Sequence, residues 1–173
     1  DNTCYFLCTD FDDKNCEHGY KNDVLAFINV CNSWNVPCYI ERSRSGNGAH
    51  VWIFFNKPIT ALKARKLGNA ILTEAMDREA RLSFKSYDRF FPNQDALPEG
   101  GLGNLVALPL QGMARRKGNS VFVDNKFNAY EDQWTFLSQI HKFSEAEIDL
   151  LLRQHTVPTL GELSKSSETK PWE

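Results

Sequence analysis

An α+β fold with a ferredoxin-like β-α-β-β-α-β core is what the chain's apolar patterning predicts. Short runs with strand character fall at residues 5–11, 38–42, 49–55 and 86–91, and helical periodicity fills the stretch after the first and after the third. Proline at 37, 58 and 92 breaks the chain at element ends. That element order is the split βαβ arrangement, in which the sheet runs 4-1-3-2 with antiparallel neighbours.

The first strand, residues 5–11, is apolar enough to be buried on at least one face. The helix at 23–33 carries Val24, Phe27, Ile28 and Cys31 on one side. Strands two and three, 38–42 and 49–55, are joined by the turn-rich stretch 43–48. Pro58 and the capping candidate Thr60 open a second helix, with Ala64, Leu67, Ile71, Leu72 and Ala75 sharing a face. The fourth strand, 86–91, stops at Pro92. Beyond a Gly/Pro-rich loop at 92–103, extra strands are expected at 104–110 and 120–124. Two C-terminal helices close the chain. The first carries the stripe from Trp134 to Ile140, and the second begins with the capping box Ser144 and Glu147.

With 173 residues and 42% hydrophobic content, one domain is expected over 1–155. The polar stretch 156–173 reads as a tail or linker to a further domain. A net charge of -2 gives no general positive surface for nucleic acid, although a cluster of metal-binding carboxylates would itself lower the sum. Five cysteines without a C-x-x-C pair suit a reducing compartment. The group Cys4, Cys8, Cys16 and His18 matches no common zinc module, and the cysteines read as buried thiols. No apolar run approaches a membrane span or leader, so a soluble cytoplasmic protein is expected, with no membrane partner.

Strand alternation puts Asp10 and Asp12 on one face and Leu7, Thr9 and Phe11 on the other. Taken alone, such a pair is either a cation site or an ordinary way to leave a sheet. Topology adds to it. The end of strand one lies beside the start of strand three, Ala49-His50, and the start of strand four, Tyr87-Asp88. Two acids, a histidine and a third acid therefore converge on one end of the sheet. In Ser45-Gly46-Asn47-Gly48-Ala49-His50 the glycines allow backbone amides close to a ligand, and Arg42 and Arg44 flank the turn. That suits a polyphosphate, and it also suits a plain hairpin turn. The run Arg115-Arg116-Lys117 offers charge to a triphosphate or a template, or is a solvated basic turn.

Asp10-Phe11-Asp12, Ser45-Gly46-Asn47-Gly48-Ala49-His50 and the pair Tyr87-Asp88 together resemble the three motifs of the archaeo-eukaryotic primase superfamily. The wider runs 41–55, 86–95 and 103–111 look like its primase-polymerase branch, found in bacterial conflict systems and beside CRISPR adaptation genes. The likeness spans about residues 4–143. It implies a DNA primase and polymerase in which Asp10 and Asp12 hold two divalent cations, Mg²⁺ or Mn²⁺. His50 and Ser45 would meet the incoming nucleoside triphosphate. Asp88 is the preferred third acid because its strand starts beside Asp10, with Asp95 as the other candidate. Single-stranded DNA template, primer, and a fused or associated helicase, nuclease or integrase are the implied partners.

Two other classes compete. RNA-recognition modules share this element order but carry aromatic residues on the central strands, where Asp10, Asp12 and His50 stand here. Metallonucleases of the rolling-circle type need paired histidines, and His50 is followed by Val51 and Trp52. Trp52, Phe90 and Phe91 are expected in the core rather than on a base.

Overall fold

The computed structural model describes residues 2–13, 19–80, 82–97, 99–101 and 103–155. Its elements are β1 (Thr3–Asp12), α1 (Tyr20–Ser33), β2 (Tyr39–Arg42), β3 (Gly48–Thr60), α2 (Ala61–Arg78) and β4 (Tyr87–Phe91). After them come α3 (Gly112–Arg115), β5 (Val121–Val123), α4 (Gln133–Ser138) and α5 (Glu145–His155). The five strands form one antiparallel sheet in the order β4-β1-β3-β2-β5, which extends the expected 4-1-3-2 core by one strand. The fold is α+β, as the element order predicts.

Alternation divides the sheet into two chemically distinct faces. Leu7, Phe11, Val51, Ile53 and Phe90 join Val24, Phe27, Leu67 and Ile71 of α1 and α2 in the main core. Ile148 and Leu151 bring α5 into the same layer. Gly68 is the point of closest approach, because a Cβ there would lie 2.9 Å from the Phe90 ring and 3.0 Å from Leu7. On the opposite face Cys8, Trp52, Phe91 and Phe122 form a smaller cluster, roofed by Phe136 and Leu137 of α4 and by Val106. Trp52, Phe90 and Phe91 are buried, in agreement with their core assignment.

Three local features differ from the sequence-based expectation. Residues 104–110 form no strand and join no ladder. Pro109 has no N–H to donate and Leu110 takes a left-handed φ of 64°, so pairing cannot run through that end. Strand β3 continues through Pro58 to Thr60, whose side chain then caps α2 by accepting from the Lys63 amide. A β-bulge between Cys4 and Phe6 sends Cys4 toward the main core while Cys8 packs on the other face. That separation parts two of the four residues weighed for zinc, and Cys16 and His18 lie outside the described residues.

Cys4, Cys8, Cys31 and Cys38 are free thiols. Burial holds Cys8 and Cys31 well above the ordinary thiol range and lifts Cys4 to about 11, so these three remain protonated and unreactive. Among the described residues no helix is long and apolar enough to cross a membrane.

Candidate active site

Two ladders carry the acids and the histidine to one end of the sheet. In the β1–β3 pairing Asp10 stands opposite His50 and Asp12 opposite Gly48. In the β1–β4 pairing Asp10 stands opposite Arg89, with a register irregularity that accommodates Asp88 between Arg89 and Tyr87. The Asp10 carboxylate reaches His50 Nε2 at 3.5 Å. The β4 end is anchored through α1: the Ser86 hydroxyl donates to buried Asp23 at 2.6 Å, and the Asp12 amide donates to the Ser86 carbonyl at 2.6 Å. One short chain of bonds thus links the start of α1, the end of β1 and the residue two before Asp88.

Electrostatics ties these groups together. Burial raises the Asp10 carboxyl above the usual carboxylate range; His50 opposes that rise, Asp12 and Asp88 add to it, and Arg89 opposes it. Asp88 accepts from Arg89 Nε at 2.9 Å. Asp95, the other candidate for third acid, is bound instead by Arg65 of α2 at 2.7 Å. Burial pulls the His50 imidazole down, but the hydrogen bond and charge of Glu41, with Asp10 and Asp12 behind them, raise it overall.

Glu41 was not singled out from the sequence, yet it is the most enclosed charged side chain of the site, at 1% exposure. His50 Nδ1 lies 2.9 Å from its Oε2, Trp52 Nε1 donates to the same oxygen at 2.8 Å, and Ser120 Oγ donates to Oε1 at 3.1 Å. Arg89 was missed as well. Its register with Asp10 is visible only once the β1–β4 pairing is known.

The hairpin turn at 43–48 sits beside the end of β1, with the Asp13 amide donating to the Asn47 carbonyl at 3.0 Å. Gly46 has φ 84°, and its open side faces the Asn119 side chain. A Cβ on Gly48 would collide with the Phe11 carbonyl, so this glycine permits close approach of β1. The Gly46 amide donates to the Ser43 carbonyl, and the Asn47 amide to Ser45 Oγ. Those amides are engaged inside the turn, whose exposed residues are Arg44, Ser45 and Asn47, with Ser45 Oγ also 3.1 Å from Ser43 Oγ. Arg42 is structural, because its guanidinium spans the Gly118 and Phe127 carbonyls at 2.6 Å each. Arg115, Arg116 and Lys117 are exposed at the end of α3. Their segment docks on the back of the hairpin through Asn119, whose Nδ2 lies 3.4 Å from the Arg44 carbonyl.

Among the described residues no three His, Cys, Asp or Glu side chains close into a metal cage. The donors at the sheet end are nonetheless hard oxygens left partly open, with side-chain exposures of 20% for Asp10 and 27% for Asp88. Mg²⁺ takes one or two carboxylates and completes its shell with water and phosphate, and a divalent cation relieves the mutual repulsion felt by Asp10. The donor set therefore fits such an ion.

No curated protein matches the chain. A family model described as the archaeo-eukaryotic primase domain of TOTE conflict systems matches residues 1–151, nearly the whole of the described fold. On that match, the chain belongs to the family of archaeo-eukaryotic primase domains of TOTE conflict systems.

Proposed function

We propose that this domain is a template-dependent nucleotidyltransferase, a DNA primase and primer-extending polymerase that joins nucleoside triphosphates on single-stranded DNA. The observation that carries the reading is the cross-strand pair of Asp10 and His50, 3.5 Å apart, with Asp12, Asp88 and Arg89 close enough to act on Asp10. Acid and imidazole meet at one end of the sheet.

Asp10, Asp12 and Asp88 would hold two divalent cations, Mg²⁺ or Mn²⁺. When bound, such ions lower the pKa of a primer hydroxyl, orient it on the α-phosphorus and neutralise the departing pyrophosphate. His50 presents Nε2 on the Asp10 side and, as the imidazolium that Glu41, Asp10 and Asp12 favour, would donate to a phosphate oxygen of the incoming nucleotide. Ser45 and Arg44 would meet the outer phosphates, on a turn whose shape Gly46 and Gly48 permit. Arg115, Arg116 and Lys117 would balance phosphate charge on the template or triphosphate. A helicase, nuclease or integrase, fused or encoded nearby as in the CRISPR-associated branch, is the class of protein partner.

Primer extension and de novo priming on a single-stranded template, with Mg²⁺ or Mn²⁺, test this directly. Wild-type protein is expected to extend the primer, and Asp10→Ala/Asp12→Ala to fall to background with an unchanged circular-dichroism spectrum. Undiminished synthesis by the double variant would sink the reading. Shortening of labelled DNA with Mn²⁺ and no nucleotides would point to strand cutting instead.

A further inference from the structure

We propose that Glu41 is the positioning residue for His50, accepting a hydrogen bond from the Nδ1–H of the imidazole and so fixing which nitrogen faces Asp10 and the incoming nucleotide. The proposal deepens the polymerase reading and rests on it for the ligand that His50 meets. Its geometric part stands alone.

An ionised carboxylate only accepts hydrogen bonds, and the Trp52 indole only donates. With Trp52 Nε1 already on Glu41 Oε2 at 2.8 Å, the imidazole nitrogen 2.9 Å from the same oxygen must be the donor. His50 Nδ1 therefore carries hydrogen, and Nε2 is the nitrogen turned toward Asp10, 3.5 Å away. The bond made by one ring nitrogen sets the role of the other.

Glu41 is itself fixed from two further directions. Trp52 comes from β3, two residues beyond His50 on the same face, and its ring stands edge-on to the imidazole at 6.0 Å between centroids, 89° between planes. Ser120 precedes β5 and holds the second oxygen from a left-handed backbone at φ 55°. Ser120 also accepts from the Gln111 amide through its hydroxyl and from the Leu110 amide through its carbonyl. One carboxylate thus connects the histidine of β3 with the segment that leads into α3 and its basic turn. A buried charge at a sheet centre is costly unless every partner is supplied, and an apolar side chain would pack there with less penalty. Three convergent donors at 1% exposure are what a site built to hold an imidazole requires.

Two measurements on the full chain decide the matter. Long-range ¹H–¹⁵N spectra of the four histidines, with His50 assigned by its loss in His50→Gln, report the tautomer without reference to activity. With the ring neutral, wild-type His50 is expected to carry its one proton on Nδ1, and Glu41→Ala to return it to the Nε2 form usual for a free imidazole. Glu41→Gln keeps the shape and an accepting oxygen, so it is expected to retain the Nδ1 proton and serves if the alanine variant fails to fold. In nucleotide incorporation, Glu41→Ala is expected to lower kcat/KM by about 10- to 100-fold, mainly through KM for the nucleotide, with Glu41→Gln losing less. In a His50→Ala background the same change should cost less than about twofold, since Glu41 acts through the ring. An equal loss in both backgrounds, a proton that stays on Nδ1 in Glu41→Ala, or one that leaves it in Glu41→Gln overturns the proposal. Absence of incorporation by the wild type would remove the polymerase reading alone, because the spectra still decide the positioning.

Discussion

Thr9 and Gly48 show how single positions serve the sheet end. Thr9, directly before Asp10 and paired with Val51 and Phe90 on either side, is fully buried, and its hydroxyl has no hydrogen-bond partner among the described residues. Leaving such a group unpaired carries its desolvation penalty, so Thr9→Val, nearly the same shape, is expected to raise unfolding free energy by about 1 kcal/mol. A urea midpoint that moves down would contradict it. Gly48 works the other way. Its missing Cβ is the space filled by the Phe11 carbonyl, and Asp12 is its register partner. Gly48→Ala should pry the end of β1 from β3 and reduce nucleotide incorporation together with stability, whereas Ser45→Ala should spare stability. Equal melting of the two variants would show that the close contact relaxes at no cost.

Helices here are held by their faces and their ends, and each can be tested separately. In the middle of α2, alanine would ordinarily be preferred to glycine by about 1 kcal/mol. At Gly68 a Cβ meets the buried Phe90 ring at 2.9 Å, so overpacking outweighs propensity and Gly68→Ala is expected to lose about 1–2 kcal/mol. A stabilised variant would mean that α2 can lift off β4. At the start of α5 the capping box is complete. The Ser144 amide donates to Glu147 at 2.8 Å, the Glu147 amide donates to Ser144 Oγ at 3.3 Å, and the Ser144 hydroxyl donates to the Glu147 carboxylate. Those two Ser144 bonds to the carboxylate hold Glu147 below its usual range. A depressed carboxylate contributes stability that is present above its unfolded pKa and is lost as pH falls through the folded one. Ser144→Ala should therefore cost about 1 kcal/mol at neutral pH, and the difference from wild type should shrink toward about pH 3. Urea unfolding at both pH values checks it.

At the scale of the molecule, the fold was legible because it is written in local periods: Ala64, Leu67, Ile71, Leu72 and Ala75 are all buried on α2, and from Phe6 onward β1 alternates between its two faces. Residues 104–110 misled because an apolar run does not say whether a pairing partner exists, and Leu105 and Leu108 are in fact 88% and 65% exposed. Asp10, Asp12 and His50 could be brought together from topology alone, since strand order fixes which ends meet. Glu41 could not, because its value lies in Trp52 and Ser120 arriving from two other strands' worth of chain, and a single acid on a strand carries no such signal. The same crowding has a thermodynamic consequence for the whole domain. Burial, with Asp12 and Asp88 nearby, disfavours the charged form of Asp10 in the cation-free protein, and His50 and Arg89 offset only part of that. Asp10→Asn should thus melt higher than wild type without divalent ions, since a neutral amide removes that partly buried charge while leaving the ladder intact. Adding Mn²⁺ with a nucleoside triphosphate should reverse the order. A ligand that binds only the folded state adds about 2.7 kcal/mol when present at roughly 100 times its Kd, and only the wild type retains the acid to hold it. Thermal melts of both proteins, with and without the ion and nucleotide, read the crossing directly. If Asp10→Asn gains as much from Mn²⁺ and nucleotide as the wild type does, the cations are held elsewhere and the sheet-end acids are not their ligands.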